Sequence, residues 1–299
     1  MKNFKNWKPS RKILISIFIL LILATIFVLT QIDYGCDWTG FGRCIQTIPA
    51  NKEIRPAKSL WDWMNLLIVP TLLTVGAVVY NRIEKQNEQR RTEDHLQETV
   101  LSAYLDRIAT YLLNNKLRSS KGNSAVQDVA HGWTLTVLPR LNGQRKGVVL
   151  HFLYGANLLM KNNSIIQLGD ADLSGVSLNA WLENIYLNGA NMEKADLEGC
   201  YFWGADLSAA YLKNANLENA NLGEVNLEGA WLEEANLKTF SISGNLKGAK
   251  LMRADLTGTD LSGVDLSGAD LQDAKVTSKQ LSKALSLKGA IMPDGSKHK

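Results

Sequence analysis

The chain has little with which to do chemistry. Its 299 residues hold four histidines and three cysteines. His95, His131, His151 and His298 stand apart, and none has a second ligand at metal-binding spacing. Cys36, Cys44 and Cys200 lie in different contexts, which excludes a disulfide-dense scaffold and a zinc site. There is no Gly-rich phosphate loop, no nucleophile elbow and no paired-histidine zinc helix. Catalytic residues, a bound metal and a cofactor are therefore not expected.

Charge is missing from two stretches. Residues 13–29 carry none, are rich in Ile and Leu, and follow five basic residues, Lys2, Lys5, Lys8, Arg11 and Lys12. That length sits at the short end for crossing a bilayer core. A cleaved signal peptide competes, but the apolar region is long and no Ala-x-Ala site precedes Gln31. Residues 63–80 are also uncharged, with Trp61, Trp63 and Tyr80 at the ends, where an aromatic belt belongs. Pro70 is tolerable in such a helix. The sequence predicts a two-helix transmembrane hairpin over 1–81, with helices at about 13–30 and 61–80. Arg82, Lys85, Arg90 and Arg91 follow the second run, so the positive-inside rule places both termini in the cytoplasm of a two-span cell-membrane protein. Cys36 and Cys44 then lie outside, as a loop-closing disulfide or a free pair.

Net charge divides along the chain. Residues 1–91 carry thirteen Lys/Arg against six Asp/Glu, whereas residues 166–290 carry ten against seventeen. A basic front and an acidic back imply different partners. Between them, 82–163 reads as a small helical module. A long helix is expected from Arg82 to Leu117, with Leu96, Val100, Leu101, Tyr104, Leu105, Ile108, Tyr111 and Leu112 on one face. Ser124 and Gln127 have capping-box spacing and open a second helix through Val126, Val129, Trp133 and Leu138, which Pro139 kinks or ends. Gly143 starts a third segment with Val148, Val149, Phe152 and Leu153.

The stretch 164–276 is organised by a five-residue repeat. Its unit is visible in Asp170-Ala171-Asp172-Leu173-Ser174-Gly175 and again in Gly268-Ala269-Asp270-Leu271-Gln272. The Leu position recurs about twenty-three times, including Met192, Phe202 and Ile242, and slips by one residue between Leu178 and Leu182 and between Ile242 and Leu246. Period five fits neither a helix nor a strand. It fits a chain that turns a corner every unit, with the Leu and the residue two before it pointing inward. Four corners make a coil of about twenty residues, and coils stack at the strand spacing of roughly 4.8 Å. No unit buries its Leu alone, so stability resides in neighbouring coils. Cys200 takes an inward small position and should be a buried, inert thiol.

These A(D/N)LXX units resemble the pentapeptide-repeat proteins. The resemblance covers a little over a third of the chain and implies a right-handed quadrilateral β-helix. Residues 134–154 are similar to the helical module that precedes the solenoid in some bacterial, often cyanobacterial, members, and should cover the first coil. Residues 277–299 form a C-terminal cap and tail, with Ser278 as the candidate N-cap of a short helix and Pro293-Asp294-Gly295 as a turn.

The family fold does not dictate one activity, so function must be read from surfaces. Trp181, Tyr201 and Trp203 fall on one side of the coil, and Tyr211 and Trp231 on the opposite side. They are the candidate partner-binding residues, although stacked rings also stabilise neighbouring strands. Asn216 under Asn236, and Asn226 near Asn245, should form amide ladders. Some pentapeptide-repeat proteins resemble duplex DNA and bind topoisomerases, but Asp255, Asp260, Asp265 and Asp270 ring one coil and form no stripe. Nucleic acid and its mimicry are not expected. The expectation is a membrane-anchored, non-catalytic scaffold for protein–protein interaction on the cytoplasmic side. Its partners are the lipid bilayer and a protein, with self-association left open. The alternative is a membrane sensor coupling the external cysteine loop to the solenoid.

Overall fold

The computed structural model describes residues 69–114, 117 and 125–299. The chain divides into two units, Met1–Gln89 and Arg90–Lys299. In the first, the described residues open helix α1 (Val69–Leu113), with Leu73, Val78 and Tyr80 exposed. Pro70 stands in the first described turn, where its missing N–H breaks no intrahelical bond. The helix expected from Arg82 is thus already running at Val69. The predicted span at 13–30, much of that at 61–80, and the Cys36–Cys44 pair lie outside the described residues. Among the described residues no helix is long and apolar enough to cross a membrane.

In the second unit, α1 buries Leu101, Tyr104 and Ile108, whose spacing of three and four residues defines one face. Leu96 was expected on that face and is exposed. Gln97 takes the place, its Oε1 accepting the Asn142 amide at 3.1 Å and Arg145 Nη1 at 3.1 Å. Helix α2 (Ala125–Val137) turns Ala130 and Thr134 inward, whereas Val129, expected there, is exposed. Small residues suit this face because Thr134 Oγ1 meets the Tyr104 hydroxyl at 2.8 Å. Arg107 lies over the Trp133 ring, 4.1 Å from its centroid. Ser124 is not among the described residues. Pro139 ends the helix as one 3-10 turn, Leu138–Arg140.

Helix α3 (Gly143–Gly155) is capped by Asn142, whose Oδ1 accepts the Arg145 amide at 3.0 Å. Its buried side holds Lys146, Gly147, Val149, Leu150 and Leu153, and Val148 is exposed instead. Glycine is required here by proximity. A Cβ on Gly147 would meet the Ser177 carbonyl oxygen at 2.5 Å, and one on Gly143 would collide with the Gly175 carbonyl. Lys146 Nζ crosses to the Ser174 carbonyl at 2.9 Å and to Asp172 Oδ2 at 3.3 Å. The module therefore lies against the first coil at residues 172–177. A hairpin of β1 (Leu159–Met160) and β2 (Asn163–Ser164) continues the cover, with the Tyr186 amide donating to the Leu159 carbonyl at 2.8 Å.

The repeat forms a β-helix. Parallel bridges join residues twenty apart, such as Trp181↔Tyr201, Tyr186↔Asp206, Asn191↔Tyr211 and Asp196↔Asn216. These four pairs are the four sides of the coil. Across the two slips the offset falls to nineteen, as in Ser177↔Asp196 and Asn236↔Asp255. Near the second slip β3 (Leu222–Asn226) and β4 (Ile242–Asn245) pair in parallel with a bulge. Leu182, Leu217 and Leu251 are buried in the bore with Ala190, Ala215 and Ala254.

At most corners the Leu carbonyl accepts the amide three residues on, as from Ala190 to Leu187 at 3.1 Å. The third residue of the turn has positive φ, for example 71° at Gly189 and 56° at Asn184. This is the requirement of a type II turn, and it explains the Gly and Asn at that position. The Asp or Asn before the Leu closes the corner from the other end. Asp206 Oδ1 accepts the Ser208 amide at 3.1 Å, and Asn236 Oδ1 accepts that of Lys238 at 3.3 Å. Such Asx turns recur around the coil, so the polar half of the repeat is as structural as the Leu.

Two local expectations change. Phe240 stands two before Ile242, yet it is 85% exposed and Thr239 takes the bore. The equivalent sites hold Cys200 and Ala220, so a phenyl ring does not fit, and the Thr239 amide reaches the Leu237 carbonyl at 2.8 Å instead. At the other end, α4 (Ser278–Leu281) is capped by Thr277, not Ser278. Thr277 and Gln280 form a reciprocal capping box. Gln280 also donates to the Leu256 and Thr259 carbonyls at 2.7 and 2.9 Å, which fastens the cap to the last coils.

Candidate functional site

The five aromatic residues fall on opposite sides, as the repeat phase requires. On one side Trp181 is 71% exposed and stacks on Tyr201, with ring centroids 4.4 Å apart and planes 21° apart. Trp203 is less free. A Cβ on Gly223 would meet the Trp203 ring edge, so the indole lies against that glycine and Gly223 is the space that admits it. Phe240, which the repeat rule assigned to the bore, adds a further exposed ring beside Ser241. Ser241 bridges Asp260, and Tyr201 bridges Asn221, on this same side. The signal for Phe240 was in the sequence, where Thr239-Phe240 replaces the usual small-polar pair.

On the opposite side Tyr211 and Trp231 stack with centroids 5.6 Å apart. They line a groove of about 350 Å³ with Asn191, Glu193, Lys213 and Glu233. Glu233 occupies an outward position of the repeat but is only 7% exposed. Its Oε2 has no hydrogen-bond partner among the described residues. No feature of the sequence distinguishes it from the other outward acids of the repeat.

Many other polar groups on the coil serve each other. Asn216 and Asn236, and Asn226 and Asn245, form the expected amide ladders at 3.1 and 3.2 Å. Asp255, Asp260, Asp265 and Asp270 bridge Asn236, Ser241, Asn245 and Lys250 on four different sides. Lys275 pairs with Asp255 and Lys283 with Asp260, at 3.1 and 3.2 Å. Cys200 is buried, and burial pushes its thiol up to about 11, against the partly opposing hydrogen bond at the Ala180 backbone. It stays a thiol at neutral pH. Among the described residues no group of His, Cys, Asp and Glu is placed to hold a metal ion.

The pentapeptide-repeat model, in eight copies, matches residues 166–210, 200–238 and 244–278. The solenoid is a pentapeptide-repeat domain. Several solved structures are similar to it. A trypsin-treated variant of QnrB1, a plasmid-mediated fluoroquinolone resistance protein, is 20% identical over 42% of this chain and 76% of its own, with a TM-score of 0.25. Rfr23 from the cyanobacterium Cyanothece 51142 is 30% identical over 34% of this chain, with a TM-score of 0.17, and the match spans 63% of Rfr23. HetL from the cyanobacterium Nostoc sp. strain PCC 7120, involved in heterocyst differentiation regulation, is 27% identical over 44% of this chain and 90% of its own, with a TM-score of 0.12. No curated protein matches the chain.

Proposed function

We propose that the chain is a membrane-anchored, non-catalytic scaffold whose pentapeptide-repeat domain binds a protein partner on the cytoplasmic side. The observation that carries the reading is the exposed ring pair. Trp181 leaves 71% of its surface in water while stacked on Tyr201, and a fixed, solvent-facing indole is a frequent binding anchor. Stacking already pins the rings, so little side-chain entropy is lost when a partner covers them. Phe240 extends the same side. Anchoring is supported by the charge-free run at 63–80 and its basic flank, and by the exposed Leu73, Val78 and Tyr80 where that run enters the described helix. The absence of any catalytic constellation in the sequence supports a binding role.

The test is recovery of a partner from detergent-solubilised membranes by the whole protein and by a Trp181→Ser, Phe240→Ser variant. Both rings are outside the bore, so the melting temperature should hold within a few degrees. A stoichiometric partner lost in the variant is the expected result. Equal recovery by both proteins overturns the surface, and recovery of the whole chain in the soluble fraction overturns the anchor.

A further inference from the structure

The groove opposite Trp181 contains a carboxylate oxygen with no partner. Among the described residues Glu233 Oε2, which is buried, accepts no hydrogen bond, and the Lys213 ammonium in the same wall forms no ion pair with it. An unpaired buried carboxylate is costly, and such a group persists when something outside the chain completes it. The walls say what that something is. Glu193 is held by Lys194 at 2.9 Å, which leaves Glu233 as the carboxylate of these walls with no ion pair among the described residues. Tyr211 and Trp231 contribute ring faces, whose quadrupoles attract cations. An anion entering here would meet the Glu233 carboxylate, and a purely apolar group would leave that carboxylate without an ion pair.

We propose that this groove is a cation site, in which the Glu233 carboxylate pairs with a basic side chain, arginine or lysine, while Tyr211 and Trp231 hold its face or stem. The residues come from three consecutive coils, with Asn191, Tyr211 and Trp231 in one column and Glu193, Lys213 and Glu233 in the next. The site is thus built into the stack and needs no loop to close. That a polypeptide carries the cation rests on the proposed interaction role, whereas the cation chemistry of the groove does not. Lys213 lies in the same wall and repels an incoming cation, so removing it should strengthen binding.

The experiment titrates the whole purified protein in detergent with Nα-acetyl-arginine methylamide and Nα-acetyl-lysine methylamide, followed by saturation-transfer NMR. The uncharged citrulline and norleucine analogues serve as controls. Both cations should bind, the uncharged analogues should not, Glu233→Gln should weaken binding about tenfold or more, and Lys213→Met should tighten it. Trp231→Phe should retain binding and Trp231→Leu should lose it. A peptide carrying one arginine should bind more tightly than the free amide if the cation comes from a polypeptide. Equal affinities overturn the polypeptide source alone. Absence of binding by the wild type, or binding unchanged in Glu233→Gln, overturns the site. A melting temperature that collapses in Lys213→Met without cation binding identifies Lys213 as the internal partner and also overturns it. None of these readouts involves the Trp181 side, so the two surfaces stand or fall separately.

Discussion

Asn236 Nδ2 donates to Asn216 Oδ1 one coil away at 3.1 Å, while Asn236 Oδ1 accepts the amide of Lys238 at 3.3 Å. One side chain thus closes a corner and ties two coils together. Asp closes the corner equally well, but an ionised carboxylate has no hydrogen to pass on. That explains the order along the ladders. Asp196 accepts from Asn216, and Asp206 from Asn226, each at 3.1 Å, with a donor placed above each carboxylate.

Asn216→Asp is therefore expected to destabilise the solenoid although it retains the Asx turn. The new carboxylate would face Asp196 Oδ1 across 3.1 Å, with Glu198 Oε2 at 3.4 Å from the replaced amide. Like charges at this distance raise the pKa of one group. The defect should thus be largest near neutral pH and shrink as the pH falls through the raised value, where a shared proton restores a donor. Thermal melting at neutral and acid pH measures this. A pH-independent loss would show that the ladder hydrogen bond, and not the charge, sets the effect.

The inward and outward assignments were legible because period five turns the chain at every unit, and the bore alternates a large apolar group, Leu, Met192 or Phe202, with a small one such as Ala190 or Cys200. Cys200 and Leu217 are buried as the phase requires. The phase fails where volume overrides it, as at Phe240. The helical faces were read less well. Leu96 and Val129 are exposed because other residues hold the inward faces, Gln97 against Asn142 and Arg145, and Ala130 together with Thr134, which meets Tyr104. Hydrophobic spacing carries no trace of such pairings. Of the candidate sites, the ring stacks follow from the twenty-residue offset, whereas the burial of Glu233 depends on how its side chain packs and leaves no mark in the sequence.

Leu217→Ala should lower stability by about 2–5 kcal/mol, because the stacked coils on either side cannot collapse into the space. Leu217 is fully buried. Its neighbour gives the control. Glu218 Oε2 accepts from Asn236 Nδ2 at 2.9 Å, and Glu218→Gln retains an acceptor oxygen there. Chemical denaturation should find the second variant within about 0.5 kcal/mol of the parent. Equal losses would refute the bore assignment.

Gly147→Val should detach α3 from the first coil. A Cβ there meets the Ser177 carbonyl oxygen at 2.5 Å, and backbone on both sides leaves no flexible group to yield. The Lys146–Asp172 pair at 3.3 Å would go with it. Hydrogen exchange is the measurement. The Ser177 amide, bonded to the Gly143 carbonyl at 3.1 Å, should exchange faster, whereas the Leu227 amide, bonded to Asn245 at 2.7 Å, should not. Unchanged protection at Ser177 would mean that the helix tolerates the branch.

Acid should loosen the C-terminal coils through Asp255. Burial pushes its carboxyl up, but the Thr257 hydroxyl and amide, at 2.6 and 3.1 Å, together with Lys275 and Lys238, at 3.1 and 3.4 Å, hold it well below the usual carboxylate range. A folded-state value below the unfolded one contributes stability that is fully present above the unfolded pKa of about 3.9 and is lost as pH falls through the folded value. Asp255→Asn removes that contribution. Its melting temperature should lie several degrees below the parent's near neutral pH, and the gap should narrow progressively below about pH 4. Both lysines are partly solvated, at 43% and 69% of their side-chain surface, so added salt should narrow the gap only in part, the hydroxyl and amide bonds being unscreened. A gap that stays constant through the acid range would mean that Asp255 acts by its shape and its Asx turn, with the ion pairs contributing nothing.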